Sequence, residues 1–210
     1  MPTVKDSHFS HLNQHTKLFS SITAAMGRVS EAIKQDHREI EEYYSNILKA
    51  SSIDEKTRWQ NQFTWELARH SVGEELVVYP AMEKKLPNGK EMADKDREEH
   101  QKVKEQLYTF QNLKASDAEF EPTIKALFKD LSEHIKEEEE DHLVVLEKAL
   151  TQEESEKMCK SFQRSKMFAP TRSHPSAPDK PPFENVAGLL AAPLDHLRDL
   201  FSKFPDPKDV

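Results

Sequence analysis

Apolar residues recur at alternating spacings of three and four along most of the chain, which is the pattern of amphipathic helices. Breaks rich in turn-forming residues, at 51–54, 86–89 and 115–117, divide this pattern. It predicts four long helices, at about residues 29–50, 55–86, 90–114 and 119–149. Short loops between long helices favour antiparallel neighbours, so the sequence predicts an all-α, up-down-up-down four-helix bundle.

The end of the chain has a different composition. A fifth, shorter helix is predicted at about residues 151–165, because Thr151 and Glu154 have the spacing of a capping box. Eight of the twelve prolines lie at or after Pro170, so we expect a Pro-rich linker to follow this helix.

These features divide the chain into three parts: an N-terminal segment (residues 1–28), the helical bundle (29–166) and a C-terminal extension (167–210). The extension combines the Pro-rich linker with an amphipathic stretch that Pro193 interrupts. We expect this stretch to dock as a helix pair on the flank of the bundle. A lid over a functional site and a dimer contact are the alternatives.

Each predicted helix has a core-facing stripe that is not wholly apolar. The stripes are Ile33, His37, Ile40, Tyr44 and Ile47; Phe63, Leu67, His70, Glu74, Val77 and Ala81; His100, Val103, Leu107 and Phe110; and Ile124, Leu127, Leu131, His134 and Glu138. Every stripe contains a His, and two stripes contain a Glu four residues after it. The sequence therefore predicts that four imidazoles and two carboxylates point into the core.

A metal centre explains these six polar side chains together. Taken singly, a His on an apolar stripe is usually a hydrogen-bonded core residue, and a Glu in the acidic run at 136–141 is usually solvated. However, a buried, unpaired carboxylate costs several kcal/mol, and metal coordination removes that cost. Residues i and i+4 share a helix face, so each His-x-x-x-Glu pair can reach one dinuclear centre. Nitrogen and oxygen ligands without thiolate favour iron or manganese over copper(I), with zinc as an alternative.

Charge and composition limit the remaining classes of function. The chain has 30 Lys and Arg against 38 Asp and Glu, a net charge of −8 and a mean hydropathy of −0.82. Nucleic-acid binding needs a basic face, so we expect no such partner. No stretch approaches the ~18 apolar residues of a membrane span, and the polar start lacks the apolar core of a signal peptide, so we expect a cytoplasmic protein with no membrane partner. The lone Cys159 excludes a Cys-based zinc or iron–sulfur site.

The ordered motifs resemble those of the hemerythrin-like HHE cation-binding domains. The matching segments are Asp36-His37-Arg38-Glu39, His70-Ser-Val-Gly-Glu74-Glu75 with Tyr79-Pro80, Glu98-Glu99-His100, and His134-Ile-Lys-Glu-Glu138-Glu139. The resemblance covers roughly residues 29–150, with all four ligand-bearing helices in order. It implies a bundle that holds two non-haem iron ions with an oxo or hydroxo bridge.

The resemblance also implies a role for each ligand. Glu74 and Glu138 would bridge the two irons. The terminal ligands would be His37 and His70 on one iron, and His100 and His134 on the other.

One position departs from the oxygen-carrying hemerythrins. Those proteins have a fifth His one turn after the third-helix His, where this chain has Lys104. The resemblance then leaves both irons with an open position. This speaks against reversible O2 carriage and for oxidation chemistry, or for binding of O2, NO or peroxide. An outward-pointing Lys104 is the alternative.

Several other polar residues are weaker candidates. Glu41, Glu75 and Glu99 are expected at the surface, or as acceptors for imidazole N–H, rather than as ligands. We expect His142 to lie on the surface and Tyr44 to pack in the core. Three histidines lie near the N-terminus: His8, His11 and His15. We expect them to belong to a solvated tail, with transient metal capture as the alternative.

Two functions of different classes follow. The first is a non-haem di-iron protein that interacts with O2, NO or iron itself. The second is a di-iron monooxygenase or oxidase that acts on a small organic substrate, with a reductase as partner. An enzyme is expected to have a substrate-sized apolar pocket at the metals, whereas a gas binder needs only a narrow channel. The sequence defines no substrate, electron donor or oligomeric state.

Overall fold

The computed structural model describes residues 27–176 and 184–210. All regular secondary structure in this part is helical, which confirms the predicted all-α class. The helices are α1 (Val29–Lys49), α2 (Ile53–Gly73, a π-helical turn Glu74–Val78, and Tyr79–Lys85), α3 (Gly89–Gln111), α4 (Phe120–Glu137, a π-helical turn Glu138–His142, and Leu143–Ala149), α5 (Gln152–Phe168) and α6 (Glu184–Asp199). His8, His11 and His15 lie outside the described residues.

Local chemistry fixes where the helices begin. The Ser52 side chain accepts a hydrogen bond from the Glu55 N–H and caps α2. Thr151 and Glu154 form the predicted capping box at the start of α5. The turn before α3 requires glycine, because a Cβ on Gly89 would lie 1.8 Å from the Met82 carbonyl oxygen.

Two apolar clusters fill the bundle, and each of α1 to α4 passes from one cluster to the other. The first cluster includes Ile40, Phe63 and Phe110, and the second includes Ile33 and Tyr79. The predicted His and Glu positions lie between the two clusters along each helix. Burial of large side chains on both sides therefore holds a layer of polar residues in the middle of the bundle.

The π-helical turns shift the buried face of α2 and α4 by one residue. The predicted core positions Val77 and Ala81 are only partly buried, whereas Val78, Tyr79 and Met82 are fully buried. The prediction was wrong here because a π turn inserts one residue into a 3.6-residue pattern. Both turns begin at the Glu of a His-x-x-x-Glu pair, at Glu74 and at Glu138.

Two segments outside the four long helices pack against them. Helix α5 contacts α1 and α2. In the C-terminal extension, the Ser173 hydroxyl donates to the Lys104 carbonyl on α3, and Asn61 on α2 donates to the Lys203 carbonyl. Within the described residues no helix is long and apolar enough to cross a membrane.

Candidate metal centre

The six predicted ligands lie in the polar layer, and each of them is at least 96% buried. Five of them form two groups that can hold a cation, and Glu138 lies outside these groups but beside His37. On the α1–α2 side, the His70 Nε2 lies 3.2 Å from the Glu74 Oε1, and the His37 Nε2 lies 3.4 Å from the Glu138 Oε2. On the α3–α4 side, the Nε2 atoms of His100 and His134 are 3.1 Å apart. The Nε2 atoms of all four imidazoles thus face the other predicted ligands.

Glu74 lies between the two pairs of histidines. Its Oε1 faces His70, and its Oε2 lies 3.3 Å from the Nε2 of His100. The same carboxylate belongs to two sets of groups that can hold a cation, one with His37 and His70, the other with His100 and His134. Glu74 therefore occupies the position that a bridging ligand needs.

Each of the four histidines is oriented by a carboxylate at its other ring nitrogen. A carboxylate only accepts hydrogen bonds, so the Nδ1 atoms carry the protons and the Nε2 atoms are left for a metal. The pairs are His37 with Glu139 (2.8 Å), His70 with Asp36 (3.1 Å), His100 with Glu75 (3.3 Å) and His134 with Glu99 (2.8 Å).

These carboxylates follow one rule in both halves of the bundle. Asp36 and Glu99 each precede the first His of a half, and they hold the second His of the same half. Glu75 and Glu139 each follow the Glu of a His-x-x-x-Glu pair, and they hold the first His of the opposite half. The α1–α2 and α3–α4 halves thus supply equivalent groups to one centre.

The donor set fits a cation. Both oxygens of Glu74, both oxygens of Glu138 and the Nε2 of His37 are buried without a hydrogen-bond partner. Orphaned buried carboxylate oxygens are costly, and a cation that they coordinate removes the cost. Imidazole and carboxylate ligands suit iron, manganese and zinc.

Without a cation, protons take its place. Burial lowers the pKa of His70, but the charge of Glu74 and the hydrogen bond to Asp36 outweigh burial and raise it to about 10. Burial likewise lowers the pKa of His100, and the neighbouring carboxylates of Glu74 and Glu75 raise it to about 9. Burial raises the pKa of Glu74, yet the neighbouring imidazolium charges hold it well below its usual range.

The accessory carboxylates separate into two groups. Glu75 and Glu99 accept from imidazoles, as expected for residues that support the ligands. Glu41 is paired with Arg38 at the surface, 2.6 Å away. In the sequence, Asp36 and Glu139 stand out only as parts of the quoted motifs. The signal that could identify them as groups that orient ligands is their position next to a predicted ligand.

Lys104 does not point outward. Its side chain is 12% exposed, and its Nζ lies 2.5 Å from the Glu75 Oε1. Glu75 is the carboxylate that also holds His100. Lys104 therefore neutralises a group that orients a ligand, and it stands one turn from His100 on the same helix.

Tyr79 is a site residue that the stripe analysis missed. Its hydroxyl lies 2.9 Å from the Nε2 of His100, the nitrogen that faces the centre. The π-helical turn that ends at Val78 rotates Tyr79 into the core. Tyr44, by contrast, stacks on Phe128 at 3.7 Å between ring centroids, which is a packing role.

The surface prediction for His142 was wrong. His142 is 6% exposed, and its Nδ1 lies 3.0 Å from the Oδ2 of the buried Asp96. The second π-helical turn places it inward, as the first does for Val78 at the equivalent position.

With this geometry established, comparisons with known proteins identify the class. Residues 28–144 match the hemerythrin HHE cation-binding domain. The chain is 59% identical over 181 residues to an uncharacterised hemerythrin-like protein of Schizosaccharomyces pombe, a match that covers 86% of this chain and 89% of the relative. No solved structure gave a significant match. The chain therefore belongs to the hemerythrin HHE family of cation-binding domains.

Proposed function

We propose that the protein binds two iron ions at this centre and interacts through them with O2, NO or a similar small ligand. The observation that carries the proposal is the convergence of four carboxylate-oriented imidazoles on two buried carboxylates that have no hydrogen-bond donors. His37, His70, Glu74, His100, His134 and Glu138 would hold the metal. When bound, the iron supplies the redox chemistry and the affinity for small ligands.

The residues around the ligands prepare the site for that chemistry. The apolar clusters on both sides exclude water, which strengthens electrostatic interactions inside the bundle. The four carboxylates at the Nδ1 atoms fix the tautomers and raise the basicity of the Nε2 atoms. The Tyr79 hydroxyl brings a proton donor to the side of His100 that faces the centre.

The surface cavity that the structure describes lies away from the metal cluster. A surface cavity of about 370 Å³ is lined by residues that include Lys56, Phe120 and Lys125, and none of its lining residues belongs to the metal cluster. This cavity therefore does not support a monooxygenase or oxidase that binds its substrate at the metals.

Reconstitution tests the proposal. Metal-free protein is loaded with Fe(II) without oxygen, freed of excess metal, and analysed for iron content and for its absorption spectrum with NO, O2 or azide. We expect two irons per chain and a spectrum that changes with the added ligand. Fewer than one iron per chain, or a spectrum that none of these ligands alters, would refute the proposal.

Lys104→His tests how open the centre is. An imidazole at this position would lie one turn from His100 and on its face of α3, where it can donate to the iron held by His100 and His134. We expect slower autoxidation of the reduced protein and more reversible binding of O2 or azide, at equal iron content. Stopped-flow comparison measures both.

Lys104→Met is the matched control, because it removes the ammonium from Glu75 without adding a ligand. If Lys104→His and Lys104→Met behave alike, the new imidazole does not reach the iron. Unchanged autoxidation in Lys104→His with an unchanged ligand-field spectrum would contradict the prediction.

A further inference from the structure

A buried lysine from helix α5 enters the layer of polar residues. Lys166 is 5% exposed, and its Nζ contacts the carboxylates of Asp36 on α1 and Glu66 on α2. The Asp36 Oδ2 that accepts from Lys166 is the same atom that accepts from the Nδ1 of His70. Asp36 therefore links the Lys166 ammonium directly to His70, a predicted metal ligand.

The contact belongs to a continuous ionic chain in the interior. Glu66 binds Lys166 through its Oε1 and Arg69 through its Oε2, the latter at 2.6 Å. The four charges of Asp36, Glu66, Arg69 and Lys166 sum to zero. The Arg69 Nε has no hydrogen-bond partner, whereas the Lys166 ammonium is held between two carboxylates, Asp36 and Glu66. Breaking a buried ion pair by removing one partner is strongly destabilising, so these contacts hold the Lys166 and Asp36 side chains in place.

Helix α5 also contacts His70 directly. The ring of Phe162 meets the His70 ring edge-on, with centroids 5.9 Å apart. Gly73 allows this approach, because a Cβ there would lie 2.7 Å from the Cε2 of Phe162. The fifth helix thus closes the side of the centre at which His70 lies.

The opposite half does not use helix α5 in this way. There Lys104 of α3 pairs with Glu75, which holds His100, and among the described residues no buried ammonium holds the counterpart of Asp36. Glu99, the counterpart of Asp36, holds His134, and its side chain is 33% exposed. Its cation is Lys95, 3.5 Å away with a side chain 48% exposed, on the same helix. An exposed pair of this kind orients a carboxylate far less than a buried one does.

We propose that Lys166 is a positioning residue for the metal held by His37 and His70, and that helix α5 thereby makes the two metal positions inequivalent. The inference rests on the proposed dinuclear centre. Lys166 fixes Asp36, Asp36 fixes the tautomer and the ring orientation of His70, and the Nε2 of His70 is presented to the metal. The helix that does this lies beyond residue 144, where the match to the family domain ends.

Substitution of Lys166 in the full-length protein tests the proposal. Metal-free Lys166→Met is titrated with Co²⁺, whose absorption spectrum reports coordination. Loss of a partner that orients a ligand typically costs ~10- to 100-fold in metal affinity. We expect a loss of this size for one of the two ions, with the affinity for the other unchanged.

Two further variants make the result specific. Lys160→Met removes an exposed ammonium from the same helix and should match the wild type. Lys166→Met with Glu66→Gln keeps the buried cluster neutral, because Asp36 and Arg69 then balance; it keeps the test valid if the single variant does not fold. We expect the double variant to show the same one-site loss.

Failure of this inference is distinguishable from failure of the proposed function. If the folded Lys166 variants bind both ions with wild-type affinities, or if their affinities for both ions fall equally, Lys166 has only a structural role and the inference is wrong. If the wild type itself does not bind two ions, the dinuclear centre is wrong. Thermal melts of the metal-free proteins check folding independently of the metal.

Discussion

Glu74→Ala is expected to abolish binding of both metal ions, because this carboxylate faces His70 on one side of the centre and His100 on the other. Glu138→Ala is expected to do the same, on the inferred role of Glu138 as the second bridging ligand. The measurement is metal content after reconstitution with Fe(II), with circular dichroism to establish that each variant is folded.

The expected loss of metal binding is large because each bridging carboxylate would be shared by both metal ions. Removal of a terminal His would weaken one position, whereas removal of a bridge weakens both and leaves the two cations without the negative charge between them. The free energy of unfolding is expected to fall by less than the full contribution of the bound metals. Metal loss destabilises the protein, but removal of an orphaned buried carboxylate offsets part of that loss. Glu133→Ala, at an exposed position on α4, serves as the control. Two irons per chain in both bridge variants would exclude the assignment.

The helical architecture could be predicted from the sequence because the bundle is regular wherever the site does not disturb it. The stripes of the third and fourth helices are buried as predicted, from His100 to Phe110 and from Ile124 to Glu138. The predicted fifth helix begins with its capping box at Thr151 and extends to Phe168. Periodicity and capping depend on neighbouring residues, and such local rules can be applied without coordinates.

The positions assigned to the wrong face in α2 and α4 follow from the two π-helical turns. A single inserted residue does not alter composition, so nothing in the pattern marks Glu74–Val78 or Glu138–His142 as irregular. A regular helical pattern then assigns every residue after the turn to the wrong face of the helix. This one effect explains why the predicted stripe omits Tyr79 and why His142 was expected at the surface, whereas both residues are buried.

The groups that orient the ligands required the structure for a different reason. Glu139 lies in an acidic run that is typical of a solvated surface, and its contact with His37 joins residues 102 positions apart. Lys166 reaches Asp36 over 130 positions. Helical periodicity identifies which residues face inward, but it does not state which inward residues meet.

Metal loading is expected to stabilise the protein strongly. A ligand that binds only the folded state at 1,000 times its Kd contributes ~4 kcal/mol, and two ions would contribute about 8 kcal/mol. For a chain of this size such a gain corresponds to a rise in Tm of about 15–30 °C. Melting curves of the metal-free and loaded proteins measure the difference directly.

This gain should grow as the pH rises from 6 to 8.5. In the metal-free protein the pKa of His70 is about 10 and that of His100 about 9, both above the ordinary value of 6.5. Imidazoles with a raised pKa stabilise the folded state fully below pH 6.5, and this stabilisation is lost as the pH rises towards their folded values. The metal-free protein should therefore melt at progressively lower temperature above pH 6.5.

The loaded protein should respond in the opposite direction at the low end of the range. Its imidazoles must be neutral to bind metal, so protons compete with the cation and acidification weakens loading. The Tm of the loaded protein should fall from pH 6.5 to 6, while that of the metal-free protein holds. A difference between the two forms that stays constant from pH 6 to 8.5 would mean that His70 and His100 do not exchange protons for metal. Proton release on loading at pH 7.5, followed with an indicator dye in weak buffer, provides an independent measurement of the same exchange.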